Sequence, residues 1–142
     1  MWKNIVFNDK YLYNKSNQPL PFPLIYLVLP LVLQTELCKK INSRCCFTKW
    51  IKDNQNLLIN FSVYAKELVP ITNDAIKFLL QMKKIIVTEN GELKISSSKP
   101  LSKTKYVNKE ISQCISKAEH IAKWFINSGT VELIYIGLGV KP

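Results

Sequence analysis

The sequence holds one arginine, Arg44, and one histidine, His120, in 142 residues. Each scarcity removes a class of function. Bidentate recognition of guanine normally uses arginine, and here the other nineteen of the twenty basic residues are lysine, which argues against sequence-specific DNA reading. A histidine-dependent triad or dyad would rest on His120 alone, and that residue falls mid-helix between Lys117 and Lys123, with no nucleophile placed beside it. The cysteines, Cys38, Cys45, Cys46 and Cys114, form no C-x-x-C pair and have no histidines at ligand spacing. They read as reduced thiols of a cytoplasmic protein and not as a zinc site. No G-x-x-x-x-G-K-[ST] phosphate loop is present, and the acidic residues show no paired arrangement of the kind a metal nuclease needs. The chain is therefore expected to be neither an enzyme nor the holder of a cofactor or metal.

A membrane-length apolar run is also lacking. Residues 19 to 33, PLPFPLIYLVLPLVL, are the most apolar stretch, but the run is fifteen residues long and contains Pro19, Pro21, Pro23 and Pro30. A spanning helix needs roughly 20 apolar residues. A secretory signal fits no better, because the run starts far from Met1 and is followed by QTELCKKINSR, which has no small-residue cleavage site. The segment reads as a buried core helix from Leu24 to about Gln34, with Pro23 in its first turn and a kink at Pro30.

What is present is positive charge and periodicity. A net charge of +10 favours polyanionic partners, DNA, RNA or acidic protein faces. One domain of this length can bury about 68–70% of its unfolded surface without disulfides. Phe47, Trp50 and Ile51 fit a short helix. Leu57, Leu58, Phe61, Tyr64, Ala65 and Leu68 lie on one stripe of another that Pro70 closes. Thr72 can cap a helix that buries Ala75, Ile76, Leu79 and Leu80 and shows a polar stripe of Asn73, Lys77, Gln81 and Lys84. The next run, IIVTENGELKI, is a β-hairpin, with Asn90-Gly91 read as a two-residue type I′ turn that sets Glu89 opposite Glu92.

Helices followed by such a hairpin read as a winged helix-turn-helix. Its acidic wing tip would repel DNA, so any nucleic-acid contact is assigned to Lys77 and Lys84, or to Lys99, Lys103 and Lys105 in the aperiodic loop 96–106. The clearest helix follows, with Val107, Ile111, Cys114, Ile115, Ala118, Ile121, Ala122 and Phe125 on one face and Gly129 at its end. Val131 to Ile136 is β-rich and reads as a terminal strand, and the Gly137 to Gly139 motif as a turn. His120 and Trp124 sit on the flank of the long helix: Trp124 either anchors a partner or packs under a neighbouring loop.

The expected fold is thus mainly α with a β-hairpin. It comprises a lead segment 1–18, a winged-helix-like unit 19–95, the basic loop, and a C-terminal amphipathic helix and strand over 107–142.

The Pro-flanked PLIYLVLPLVL, the Trp-containing FTKWIKD, ELVPIT before the helix and hairpin, and the ending GLGVKP, taken in order, resemble the middle component of three-component ABC-ATPase systems, of which the small third subunit of Lamassu anti-phage systems is an example. The resemblance covers roughly residues 19 to 142. It implies a non-catalytic subunit bridging an SMC-like or Rad50-like ATPase and an effector, often a nuclease, in a complex that senses foreign DNA. Residue patterns alone leave a second class open, a free-standing winged-helix DNA-binding regulator.

Overall fold

The proline-rich run folds around its prolines. In the computed structural model, which describes residues 20–42, 44–96 and 108–141, Leu20–Pro21 forms a short strand, β1, and Phe22–Leu24 a turn of 3-10 helix. Pro23 lies in that first turn, where a missing N–H is harmless. Helix α1 then runs Ile25–Leu33, and it continues through Pro30 although proline withholds the donor that the Tyr26 carbonyl would use. Gln34 takes extended backbone (φ −76°, ψ 106°) and separates α1 from α2, Thr35–Lys40. A helix apolar all round must be covered all round, and Ile25, Leu27, Val28, Leu29, Leu31 and Val32 are indeed all buried.

Three short helices follow: α3 (Phe47–Asp53), α4 (Gln55–Leu58) and α5 (Phe61–Glu67). The single helix expected over 56–69 is therefore two, but its stripe survives, with Leu58, Phe61 and Ala65 buried. Helix α6 spans Val69–Gln81. Pro70 opens this helix instead of closing the previous one, since a proline that cannot continue one helix suits the first turn of the next. Thr72 accordingly does not cap. It is buried inside the helix and its hydroxyl donates to the Leu68 carbonyl at 3.0 Å. Ala75, Ile76 and Leu79 are buried as expected, whereas Leu80 is exposed.

Helix α6 ends in a Schellman turn: Lys84 N–H donates to the Leu79 carbonyl at 2.9 Å and Lys83 N–H to Leu80 at 3.0 Å, with Lys83 at φ +53°. The chain enters β2 (Ile85–Val87), turns, and returns as β3 (Glu92–Ile95). The sheet is antiparallel in the order β1-β3-β2, with Leu20 opposite Leu93 and Val87 opposite Leu93 on the other side.

The hairpin exists, but its turn is not type I′. That turn needs positive φ at two residues, and among the described residues the one non-glycine with positive φ is Lys83. Instead Gly91 N–H donates to Thr88 O at 3.0 Å, Gly91 takes φ +73°, and Thr88 pairs with Glu92. Glu89 therefore sits in a three-residue turn and does not face Glu92.

Helix α7 covers Lys109–Asn127, capped by Asn108, whose side chain accepts from Glu110 N–H at 2.9 Å. Val107 and the lysines of the 96–106 loop at 99, 103 and 105 lie outside the described residues. Gly129, at φ +93°, takes the chain away from the helix.

The expected terminal strand is a helix, α8, Val131–Gly137. β-branched residues suggested a strand, but Thr130 accepts from Leu133 N–H at 3.4 Å and the helical arrangement buries Ile134, Tyr135 and Leu138 together. Tertiary burial outweighs the weak strand propensity. The glycine motif is its C-cap: Gly139 has φ +70°, and Val140 N–H donates to Tyr135 O at 3.0 Å. Gly137 permits close packing, because a Cβ there would meet Ile51 Cδ1 at 2.8 Å.

Two cores result. The larger gathers α1, α2, α3, α4, α5, α7 and α8. The smaller consists of Ile25, Ile76, Leu79, Ile85 and Leu93 beneath the sheet. Among the described residues no helix is long and apolar enough to cross a membrane.

Candidate functional site

The loop between α2 and α3 is held by one side chain from α3 itself and two from α7, far away in sequence. Trp50 Nε1–H donates to the Lys40 carbonyl at 3.0 Å, Trp124 Nε1–H donates to the Cys45 carbonyl at 2.9 Å, and the Lys117 ammonium donates to the Ile41 carbonyl. Ile41 itself is fully buried. Within the loop, Arg44 N–H donates to Asn42 Oδ1 at 3.1 Å. The indoles behind these bonds form an aromatic cluster with Phe47: Trp50 and Trp124 lie 5.4 Å apart between ring centroids, and Phe47 lies 5.7 Å from Trp124. An indole N–H buried this way needs a partner, so burying the two tryptophans also fixes the loop.

That anchoring creates an open groove of about 590 Å³ between residues 44–48 and the C-terminal half of α7. Arg44, Thr48, His120, Lys123 and Asn127 line it, with Trp124 behind them. The only arginine and the only histidine of the chain thus meet at one place. Among the described residues no aspartate or glutamate lines it. Lys117, whose ammonium is engaged by Ile41, lies outside the lining. Burial, and then the charges of Lys123 and Lys117, hold the His120 imidazole below its ordinary range, so it is neutral near pH 7. The arrangement offers anion recognition.

Of the residues expected to face a partner, His120 is half-buried at the groove and Trp124 is buried at 8% exposure. Trp124 is therefore core, packed under the loop it holds, and not an exposed anchor. On α6, Lys77 is exposed, while Lys84 lies past the helix end and is half-buried. The groove adds Arg44 and Lys123, which no local sequence pattern marks as site residues. The available signal was a pair of tryptophans, each needing an acceptor, near a short loop.

The cysteines do not gather into a metal site among the described residues. Cys38 and Cys114 are neighbours instead: burial, then the nearby Cys114, push the Cys38 thiol up to about 11.

A family model for Middle Component 3 of ABC-three component (ABC-3C) systems matches residues 6–142. The chain belongs to this family. As an ABC-3C middle component it is one part of a multi-component ABC system, which fits an accessory subunit whose partners are the other components, such as an ATPase. Neither a curated protein nor a solved structure matches it.

Proposed function

We propose that this middle component is a non-catalytic subunit that bridges an SMC/Rad50-like ATPase and an effector, often a nuclease, in a Lamassu-like anti-phage complex sensing foreign DNA. The observation that carries the reading is the family match over residues 6–142, which fits a subunit that works with other components. The surface of α8 adds support. Leu133 and Ile136, three residues apart and so on one helical face, are 60% and 69% exposed. Large apolar side chains presented together on a helix suit a protein partner better than water. Trp124 contributes indirectly, by holding the loop beside His120.

The order α5, α6, hairpin, with β1 as a third strand, supports a winged-helix reading of residues 20–95. DNA contact in that reading is weak and indifferent to sequence, carried by Lys77 and Lys84 and by the lysines of the 96–106 loop.

The test is co-expression of tagged subunit with the ATPase encoded beside it. Wild type should retain the ATPase, and Leu133→Ser with Ile136→Ser should lower its recovery at least about tenfold, equivalent to roughly 1.4 kcal/mol, with an unchanged circular dichroism spectrum. Wild type that recovers no ATPase would sink the bridging role. A sequence-specific footprint by the isolated chain would favour a free-standing regulator.

A further inference from the structure

The groove at Arg44 is built before any ligand arrives. Three side-chain donors, from Trp50, Trp124 and Lys117, hold the loop by its carbonyls, so the arginine is presented from a fixed backbone. A guanidinium offers a planar fork that matches oxyanions, and Lys123 adds a second full charge from the facing helix. Among the described residues the one ion pair is Lys39 with Glu36, and it lies outside the groove. Thr48 and Asn127, both exposed at the rim, add neutral donors. The Ser128 hydroxyl is already engaged by the Trp124 carbonyl.

We propose that this groove binds a phosphate group, carried on a nucleotide or on a nucleic-acid strand, with Arg44 and Lys123 supplying the charge and Thr48, Asn127 and the His120 imidazole completing the donor set. A phosphate is favoured over a side-chain carboxylate by the count of donors. Two cations, an amide, a hydroxyl and an imidazole exceed what the two oxygens and single charge of a carboxylate can use, whereas a phosphate monoester has three non-bridging oxygens and carries up to two charges; a terminal phosphate therefore fits better than a backbone phosphodiester, whose two non-bridging oxygens share one charge. A volume of about 590 Å³ is also more than a lone phosphate fills and falls within the range of small-molecule sites, about 300–1,000 Å³. Its described lining includes neither the α6 lysines nor any α8 residue, and its occupancy does not depend on the bridging role.

His120 is a built-in reporter, because its ring protons are the only histidine signals of the chain. A bound phosphate stabilises the imidazolium against the charges of Lys123 and Lys117. Its pKa, followed by proton NMR on the full chain, should rise by roughly one unit on saturation. The probes are inorganic phosphate, a nucleoside monophosphate, and a short single-stranded oligonucleotide with and without a 5′-phosphate, each compared with chloride at the same ionic strength. Matched ionic strength matters because salt alone screens the lysines and raises the same pKa.

The expected result is a rise beyond that of chloride, lost in Arg44→Gln with Lys123→Gln. Both substitutions are at exposed positions and should leave the circular dichroism spectrum unchanged. A rise with the monophosphate and the 5′-phosphorylated strand alone identifies a terminal phosphate as the ligand; an equal rise with the unphosphorylated strand identifies a backbone phosphodiester. A rise no larger than that of chloride for every probe, or one that persists in the double variant, overturns the proposal. The readout uses the isolated chain, so it is independent of whether the ATPase is ever recovered.

Discussion

The two cores of this ABC-3C middle component share helix α1 and differ in nearly everything else. The larger is built around interlocked aromatic rings, Phe47, Trp50, Trp124 and Phe125, of which the two indoles reach out to fix a loop. The smaller is aliphatic, five buried side chains that seat a three-stranded sheet and donate nothing to their surroundings. An aromatic core with indole donors can shape a surface site because each N–H dictates where a carbonyl must sit. An aliphatic core only excludes water, and the hairpin above it is positioned by backbone pairing and by the Phe22 N–H bond to the Gly91 carbonyl at 3.0 Å.

The sharpest way to break that contrast is at Trp124. Replacing it with alanine removes a buried ring and leaves the Cys45 carbonyl without its donor, at a cost of about 3–5 kcal/mol, a large part of a typical stability of about 5–15. Urea denaturation should show the loss. A cost below about 1 kcal/mol would mean that the ring cluster does not set the stability of the larger core.

In the smaller core, Leu93→Ala should cost less, at the lower end of the range of about 2–5 kcal/mol for such truncations, because the thin sheet can settle onto the cavity. Equal losses from the two variants would show that the smaller core relaxes around a cavity no better than the larger one.

The finest change is at the helix end that feeds the hairpin. Lys83 holds a left-handed backbone, φ +53°, which costs a side-chain-bearing residue roughly 1–2 kcal/mol. Lys83→Gly removes that strain against an entropic cost of about 0.5–1 kcal/mol. The net gain should be about 0.5 kcal/mol, a small rise in the denaturation midpoint. A loss would indicate that the lysine side chain contributes to the smaller core.

Legibility in the sequence tracked the range of the forces involved. Helices α1 and α7 and the hairpin could be read because their periodicity and turn residues act over a few positions. The elements that were misread were decided by context. Pro70 can stop or start a helix with equal propriety, and only the packing of Thr72 and Ala75 decides. The run from Val131 carries residues that suit a strand, yet burial of Ile134, Tyr135 and Leu138 on one face makes it a helix. Asn90-Gly91 marks a turn correctly while leaving its length to the pairing of Thr88 with Glu92. The groove was the least legible feature. His120 and Trp124 share one flank of a helix, but their meeting with Arg44 depends on bonds spanning 76 and 79 residues, which no local window contains.

The Tyr135 hydroxyl donates to the Pro23 carbonyl at 2.5 Å across 112 positions of sequence. In a cell the chain is made from its amino end at about 5–20 residues per second, so Pro23 and the apolar α1 leave the ribosome several seconds before α8 exists. During that interval the most apolar helix of the protein lacks one of its covers. The nascent chain should be at its most sticky then, and a ribosome stalled short of Tyr135 should present α1 to any holding chaperone that takes apolar segments. Synthesis of the last helix thus releases the first.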